Sequence, residues 1–253
     1  MTTDIFQKIN RLLATSSQRV GLVINVDHEQ KLAVNANQAF RSASLIKLGI
    51  LNDVLAHAPS LTQLIKVKPD LLVGGAGVLQ LLSVKVLPLR DLLSLMISVS
   101  DNSATNLVID QFGLAKINQF LKVSGFSQTR LNRYLMDTTA LNRGIDNYTS
   151  PAESLALLET ILEKYPIARQ WFLNQQFRYK LPGAFDESGN GIQVFNKTGE
   201  GYQIDHDVAK FVYRNHSIAI ALLTFGSKNR ANTIHLFNQV GQLCATYLMQ
   251  LAK

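Results

Sequence analysis

Segments that read as strands lie toward the two ends of this chain and are missing from its long middle, and that split limits the folds open to it. Residues 20–26 and 31–37 flank Asp27-His28-Glu29-Gln30 as the two arms of a hairpin. Residues 191–198, 207–213 and 217–225 alternate or run apolar in the same way. Between them the period becomes helical: 44–58, with Leu45, Leu48, Leu51, Val54 and Leu55 on one face and Pro59 as the stop, then 89–99, 104–112, 114–123 and 151–164. Ile5, Ile9, Leu12 and Leu13 predict a helix before the hairpin, and 230–251 closes the chain as another. A strand must pair with something, so the terminal segments are expected to form one sheet, with the helical middle as an inserted lobe and any site at the seam. The expected organisation is α/β (α+β): one domain over residues 1–253, with a sheet lobe at 1–48 and 186–253 and a helical lobe at 49–185.

A chain of 253 residues that is 47% hydrophobic and 17% charged has ample apolar surface for a core, held as one domain or as two lobes sharing it. Its net charge of +7 is dispersed, the densest cluster being Lys66-Val67-Lys68, whereas a nucleic-acid partner would need a basic stripe. An anionic small molecule, an acidic wall polymer or a simply solvated surface fits the excess instead. No apolar run approaches the roughly 18 residues of a membrane span. The start, Met1 to Phe6, lacks a basic and apolar leader, so the chain as written is expected to be soluble and cytoplasmic, or exported if a signal peptide has been removed. Cys244 is the sole cysteine and reads as a buried, inert thiol. A monomer is expected.

Three short motifs carry the chemistry: Ser44-Leu45-Ile46-Lys47, Ser100-Asp101-Asn102 and Lys197-Thr198-Gly199. With 17 serines and 14 lysines, about one Ser-x-x-Lys arises by chance, but Ser-Asp-Asn is expected only about 0.06 times and Lys-Ser/Thr-Gly about 0.1 times. Taken singly each has an ordinary reading: a helix start with a solvated lysine, a helix cap at Asp101 or Ser103, a strand end before a turn. Together they supply what serine acyl transfer requires. Lys47, three residues after Ser44 on a helix, shares its face and can take the hydroxyl proton if burial or a second cation, Lys197, lowers its pKa. Ser100, between two helices, can relay a proton to the leaving group. Lys197 and Thr198 can hold a carboxylate where Gly199 lets substrate backbone come close.

At these residues the chain resembles the penicillin-recognising serine enzymes, and more narrowly the class A β-lactamase-like serine hydrolases, over nearly its whole length. Phe40 before Ser44, the run Ser103-Ala104-Thr105-Asn106-Leu107, Thr129-Arg130-Leu131-Asn132-Arg133 at the start of an Ω-loop and Tyr148-Thr149-Ser150-Pro151 at its end extend the likeness. The resemblance implies a five-stranded antiparallel sheet with flanking helices plus an all-helical lobe. It implies catalytic roles for Ser44, Lys47, Ser100 and Lys197, substrate contacts from Asn102, Thr198, Gly199 and Glu200, and an oxyanion hole from the Ser44 and Glu200 N–H groups. Its substrate class is a β-lactam or a related amide or ester carrying a carboxylate; with one cysteine and no ligand-spaced pair of histidines, no metal or other cofactor is expected.

Two positions depart from that pattern. Where the family's Ω-loop carries the glutamate that activates the deacylating water, this chain has Leu135, with Asp137 the nearest carboxylate. Asp137 would reach the water only through a two-residue backbone shift, its blander role being to brace Arg133 or Arg143. Where many β-lactamases place a carboxylate-binding arginine stands His206, between Asp205 and Asp207, read as a surface strand residue. His28, His57, His216 and His235 show no ligand spacing, and Gly74-Gly75-Ala76-Gly77 reads as a flexible rim loop rather than a phosphate cradle. Three functions fit: a β-lactam hydrolase with slow deacylation, a serine peptidase or esterase on peptidoglycan-like or small ester substrates, and a stably acylated binding or sensor module.

Overall fold

Alternating burial builds the sheet. Val20, Leu22, Ile24 and Val26 of the first strand join one apolar cluster, and Val23 joins another on the opposite face. The computed structural model describes residues 5–252; residues 1–4 and 253, and with them the two ends of the expected domain span, lie outside it. Helix α1 (Ile5–Ala14) leads to β1 (Arg19–Val26) and β2 (Glu29–Val34), then to β3 (Phe40–Arg41), a 3-10 turn at Ala43–Leu45 and α2 (Ile46–His57). The middle holds β4 (Leu64–Lys66) paired with β5 (Val86–Pro88), then α3 (Leu89–Ser98), α4 (Asn102–Phe112), α5 (Leu114–Val123) and α6 (Thr138–Asn142). Strand β6 (Tyr148–Thr149) pairs with β3 and is followed by α7 (Pro151–Lys164) and α8 (Pro166–Leu173). Strands β7 (Gln193–Gly201), β8 (Ile204–Tyr213) and β9 (His216–Phe225) precede α9 (Arg230–Leu251).

The five-stranded sheet has the order β2-β1-β9-β8-β7, antiparallel throughout. Its middle joins the two ends of the chain: β1 pairs β9 from Arg19↔Phe225 to Val26↔Ile218. The apolar clusters lie one on each face: the larger joins the sheet to the helices of the middle in one core that both lobes share, and α1 and α9 cover the other face. Strand β7 is one of the two edge strands, and its flank meets the turn that carries Ser44.

Most predicted elements recur within a few residues of their expected bounds. Helices α6 and α8 and the two short ribbons were not foreseen, because elements of two to eight residues show too little periodicity to stand out. Strand β7 runs on to Gly201, so Lys197-Thr198-Gly199 lies inside a strand rather than at its end. Helix α2 differs in kind from its expected one-sided pattern. Every residue from Ile46 to Val54 is buried, Lys47, Asn52 and Asp53 among them, as in a helix surrounded by protein on all sides. This central position is what takes the Lys47 amine out of water. Cys244 is fully buried on α9, which pushes its thiol up to about 12, so it is protonated and inert as expected.

Candidate active site

Three chain segments converge on a cleft of about 720 Å³ at the seam of the two lobes, lined by Ser44, Ser100, Asn102, Leu135, Thr198 and Glu200 together with the rim Gly75 to Val78. Ser44 lies in the 3-10 turn just ahead of α2, and the helix brings Lys47 back beneath it, with Nζ 3.1 Å from Ser44 Oγ. Lys47 is fully buried. Its amine also reaches Ser100 Oγ at 3.0 Å and Asn102 Oδ1 at 2.9 Å, and donates to the Ser100 carbonyl at 2.6 Å.

Ser100 holds φ of +53°, an unfavourable conformation for a residue with a side chain, and it turns the hydroxyl between two amines. Lys197 Nζ donates to Ser100 Oγ at 2.9 Å and to the Thr198 carbonyl at 2.8 Å. The following residue fixes this bend. Asp101 caps α4 by accepting from Ala104 N at 2.8 Å, and its second carboxylate oxygen accepts from Val78 N and Leu79 N, both at 2.7 Å. The capping role weighed for Asp101 is therefore real and accompanies the motif. Ser103 instead bonds Val73 of the rim.

The same contacts correct the expectation of a flexible rim. Asn102 N donates to Ala76 O at 3.0 Å and Asn102 Nδ2 to Gly74 O at 3.2 Å, so residues 74–79 are tied to the start of α4. At Gly77, with φ of +108°, a Cβ would lie 2.3 Å from Asp101 Cγ, so glycine is required there. Gly199 serves a similar purpose on β7: a Cβ would sit 3.0 Å from Ser42 O and 3.3 Å from Leu45 Cγ. Its bare backbone lets this edge strand close on the Ser44 turn.

Electrostatics follow from burial. Lys47 falls well below the ordinary lysine value, first through desolvation and then through Lys197, against a smaller opposing pull from Asp101. Lys197, also fully buried, is lowered to about 7 by desolvation, with Asp207 and Glu200 resisting the shift and Lys180 adding to it. The site therefore holds at Lys47 an amine that gives up its proton far more readily than an ordinary lysine, and at Lys197 one that is partly charged near neutrality. A depressed lysine beside a serine hydroxyl is the arrangement that activates such a nucleophile.

The Ω-loop keeps Leu135 at the cleft wall. Asn106 clamps its backbone in both directions, accepting from Leu135 N at 2.8 Å and donating to Leu135 O at 3.1 Å. Asp137 also lines the cleft, with its carboxylate capping α6 through Ala140 N at 2.9 Å. It does not brace Arg133 or Arg143. The partner of Arg133 is Asp146, at 2.8 and 2.9 Å.

His206 is likewise not a surface residue. It is fully buried in β8, its Nε2 is 2.8 Å from Arg41 O, and burial lowers it to about 4, so it is neutral near pH 7 and cannot anchor an anion. Basic residues do lie nearby, where sequence reasoning missed them. Lys180 is fully buried behind β7, 3.0 Å from Asp205 and 3.6 Å from Glu200, and Arg230 at the start of α9 reaches Glu200 at 3.0 Å and Asp205 at 3.1 Å. Nothing local marks either: they are 20 and 30 residues from Glu200 in sequence, and only the packing of α9 against β8 gathers them. One further amendment concerns His28. With Glu159 and Glu163 it forms a metal-sized group whose ligand atoms lie within 4.8 Å of one another, but Lys210 is already 3.6 Å from Glu159. Among the described residues no helix is long and apolar enough to cross a membrane.

A profile described as the β-lactamase enzyme family matches residues 4–248. A β-lactamase of Phocaeicola vulgatus is 22% identical over 261 aligned positions, spanning 92% of this chain and 81% of that protein. The structure of a β-lactamase from Sphaerobacter thermophilus superposes with a TM-score of 0.85 at 24% identity, covering 97% of either chain, a likeness of fold. PBP-A superposes with a TM-score of 0.83 at 25% identity over 98% of this chain and 97% of its own.

Proposed function

The chain belongs to the β-lactamase enzyme family, and from that membership and the geometry of its cleft we propose that it is a serine hydrolase that opens β-lactam rings through a Ser44 acyl-enzyme and releases the acyl group slowly. The observation that carries this reading is Ser44 Oγ 3.1 Å from the buried amine of Lys47, with Ser100 Oγ bridging that amine to Lys197 at 3.0 and 2.9 Å. Neutral Lys47 takes the hydroxyl proton as Ser44 attacks the carbonyl, and the Ser44 and Glu200 N–H groups receive the oxyanion. The proton passes through Ser100 to the departing nitrogen. Asn102 holds the side-chain amide of the substrate, and Thr198 with protonated Lys197 holds its carboxylate.

Leu135 supports the slow second step, since a hydrocarbon cannot take a proton from water. It equally favours a second reading, a peptidase or esterase acting on peptidoglycan-like or small ester substrates. Turnover of a chromogenic β-lactam beside that of a short-chain aryl ester separates the two. Persistent acylation without β-lactam turnover, together with rapid ester turnover, would move the assignment to the second.

The pH profile supplies an independent check. Lys47 acts as a base only when neutral, so kcat/KM rises with pH as it loses its proton. Lys197 binds a carboxylate only when charged, so for a carboxylate substrate kcat/KM falls again above about 7. For an uncharged ester that alkaline limb is absent. A shared alkaline limb would remove Lys197 from carboxylate recognition.

A further inference from the structure

Glu200 stands in the cleft wall one residue beyond Gly199, and its carboxylate is fully engaged. One oxygen accepts from Tyr179 Oη and lies 3.6 Å from Lys180 Nζ; the other accepts from Arg230 Nη2 at 3.0 Å. Arg230 is held in turn by Asp205, through Nε at 3.2 Å and Nη2 at 3.1 Å, and it donates to Tyr179 Oη at 2.9 Å. The cluster therefore contains two cations, Lys180 and Arg230, and two carboxylates, Glu200 and Asp205. It is balanced, although two cations lie next to the end of the cleft where a substrate carboxylate would sit. The cation in the cleft wall itself, Arg133, is paired with Asp146, and Lys197, buried behind the Ser100 hydroxyl, has no carboxylate within 4 Å among the described residues and is only partly charged near pH 7.

We infer that Glu200 determines the charge preference of this site: by engaging Arg230 it withholds that guanidinium from the substrate, so that the cleft acylates uncharged esters and amides about as readily as carboxylates. The inference rests on the acyl-transfer reading above and names its substrate class more narrowly. Tyr179 contributes by fixing the Glu200 carboxylate. Burial and the neighbouring Glu200 charge raise its phenol above the ordinary tyrosine value, so it stays a neutral donor.

The test uses one chromogenic cephalosporin as its free acid and as its methyl ester, reading the ratio of kcat/KM for acylation, acid over ester. In the unaltered protein the ratio lies within about threefold of one. Glu200→Gln keeps the shape and removes the charge, leaving Arg230 and Lys180 opposed by Asp205 alone, and the ratio rises about tenfold. Arg230→Ala uncovers the Glu200 oxygen that Arg230 engages and leaves the carboxylate opposed only by Lys180, and the ratio falls. The double variant returns toward the starting value. Movements in opposite directions cannot come from general damage to the wall, which would slow acid and ester together. A ratio that stays flat, or moves the same way in both single variants while the ester still acylates Ser44, overturns the inference and leaves the acyl-transfer reading standing. Failure of the unaltered protein to acylate with either compound removes that reading and this inference with it.

Discussion

Replacing Lys47 with methionine slows acylation of Ser44 by about 10²- to 10⁴-fold, the range associated with losing a positioned general base, while the protein stays folded. The two effects separate for a physical reason. Methionine keeps the buried stem, so no large cavity opens beneath the turn. Losing the amine leaves the Ser100 carbonyl and Asn102 Oδ1 without a donor, at about 1 to 3 kcal/mol, but it also relieves the desolvation that holds the lysine well below its ordinary pKa. The net change in stability is expected within about 2 kcal/mol, or roughly 4–8 °C in melting temperature for a chain of this size. Rapid-mixing acylation kinetics beside a thermal melt check both halves. The residual rate of the variant should also lose the rising pH limb. An acylation rate within a fewfold of the original would leave Lys47 as a structural cation and require another base.

Leu135→Glu has the opposite sign and acts on the other step. Deacylation speeds up by about 10²-fold or more, while acylation changes little, because the added carboxylate can take a proton from the water that must attack the acyl-enzyme. The expectation depends on backbone geometry rather than on sequence spacing. Asn106 pins Leu135 N and O at 2.8 and 3.1 Å, so the new side chain is presented where Leu135 now lines the cleft. Leu135 is only 7% exposed, so a carboxylate there lowers stability by about 1 to 3 kcal/mol. Single-turnover decay of the acyl-enzyme measures the gain. Unchanged decay with acylation intact would mean that the side chain does not reach the acyl carbonyl.

The sheet and the site were legible in the sequence to different depths. Strands β1, β2, β7, β8 and β9 alternate or run apolar over six to ten residues, long enough for the period to identify them. The motif residues could be recognised because serine acyl transfer needs particular side chains, and Ser44, Lys47, Ser100, Asn102, Lys197 and Thr198 do converge. What remained hidden is whatever depends on which charged groups become buried. His206 read as a surface residue because it lies between two aspartates, yet all three side chains are buried, against β3, α9 and the segment around Lys180. The binding of Glu200 to Arg230 and Lys180 was equally invisible, since no local pattern announces a contact across 20 or 30 residues. The rim loop read as flexible because glycine permits motion, whereas here its glycines permit the close approach by which Asp101 and Asn102 hold it down.

The most direct measurement is the time course of intact mass after the protein is mixed with a penicillin-type β-lactam, followed by peptide mapping of the adduct. A mass increase equal to the whole β-lactam should form quickly, map to Ser44, persist far longer than it took to form, and be missing from Ser44→Ala. No adduct, or one that maps to another residue, would contradict the proposed chemistry.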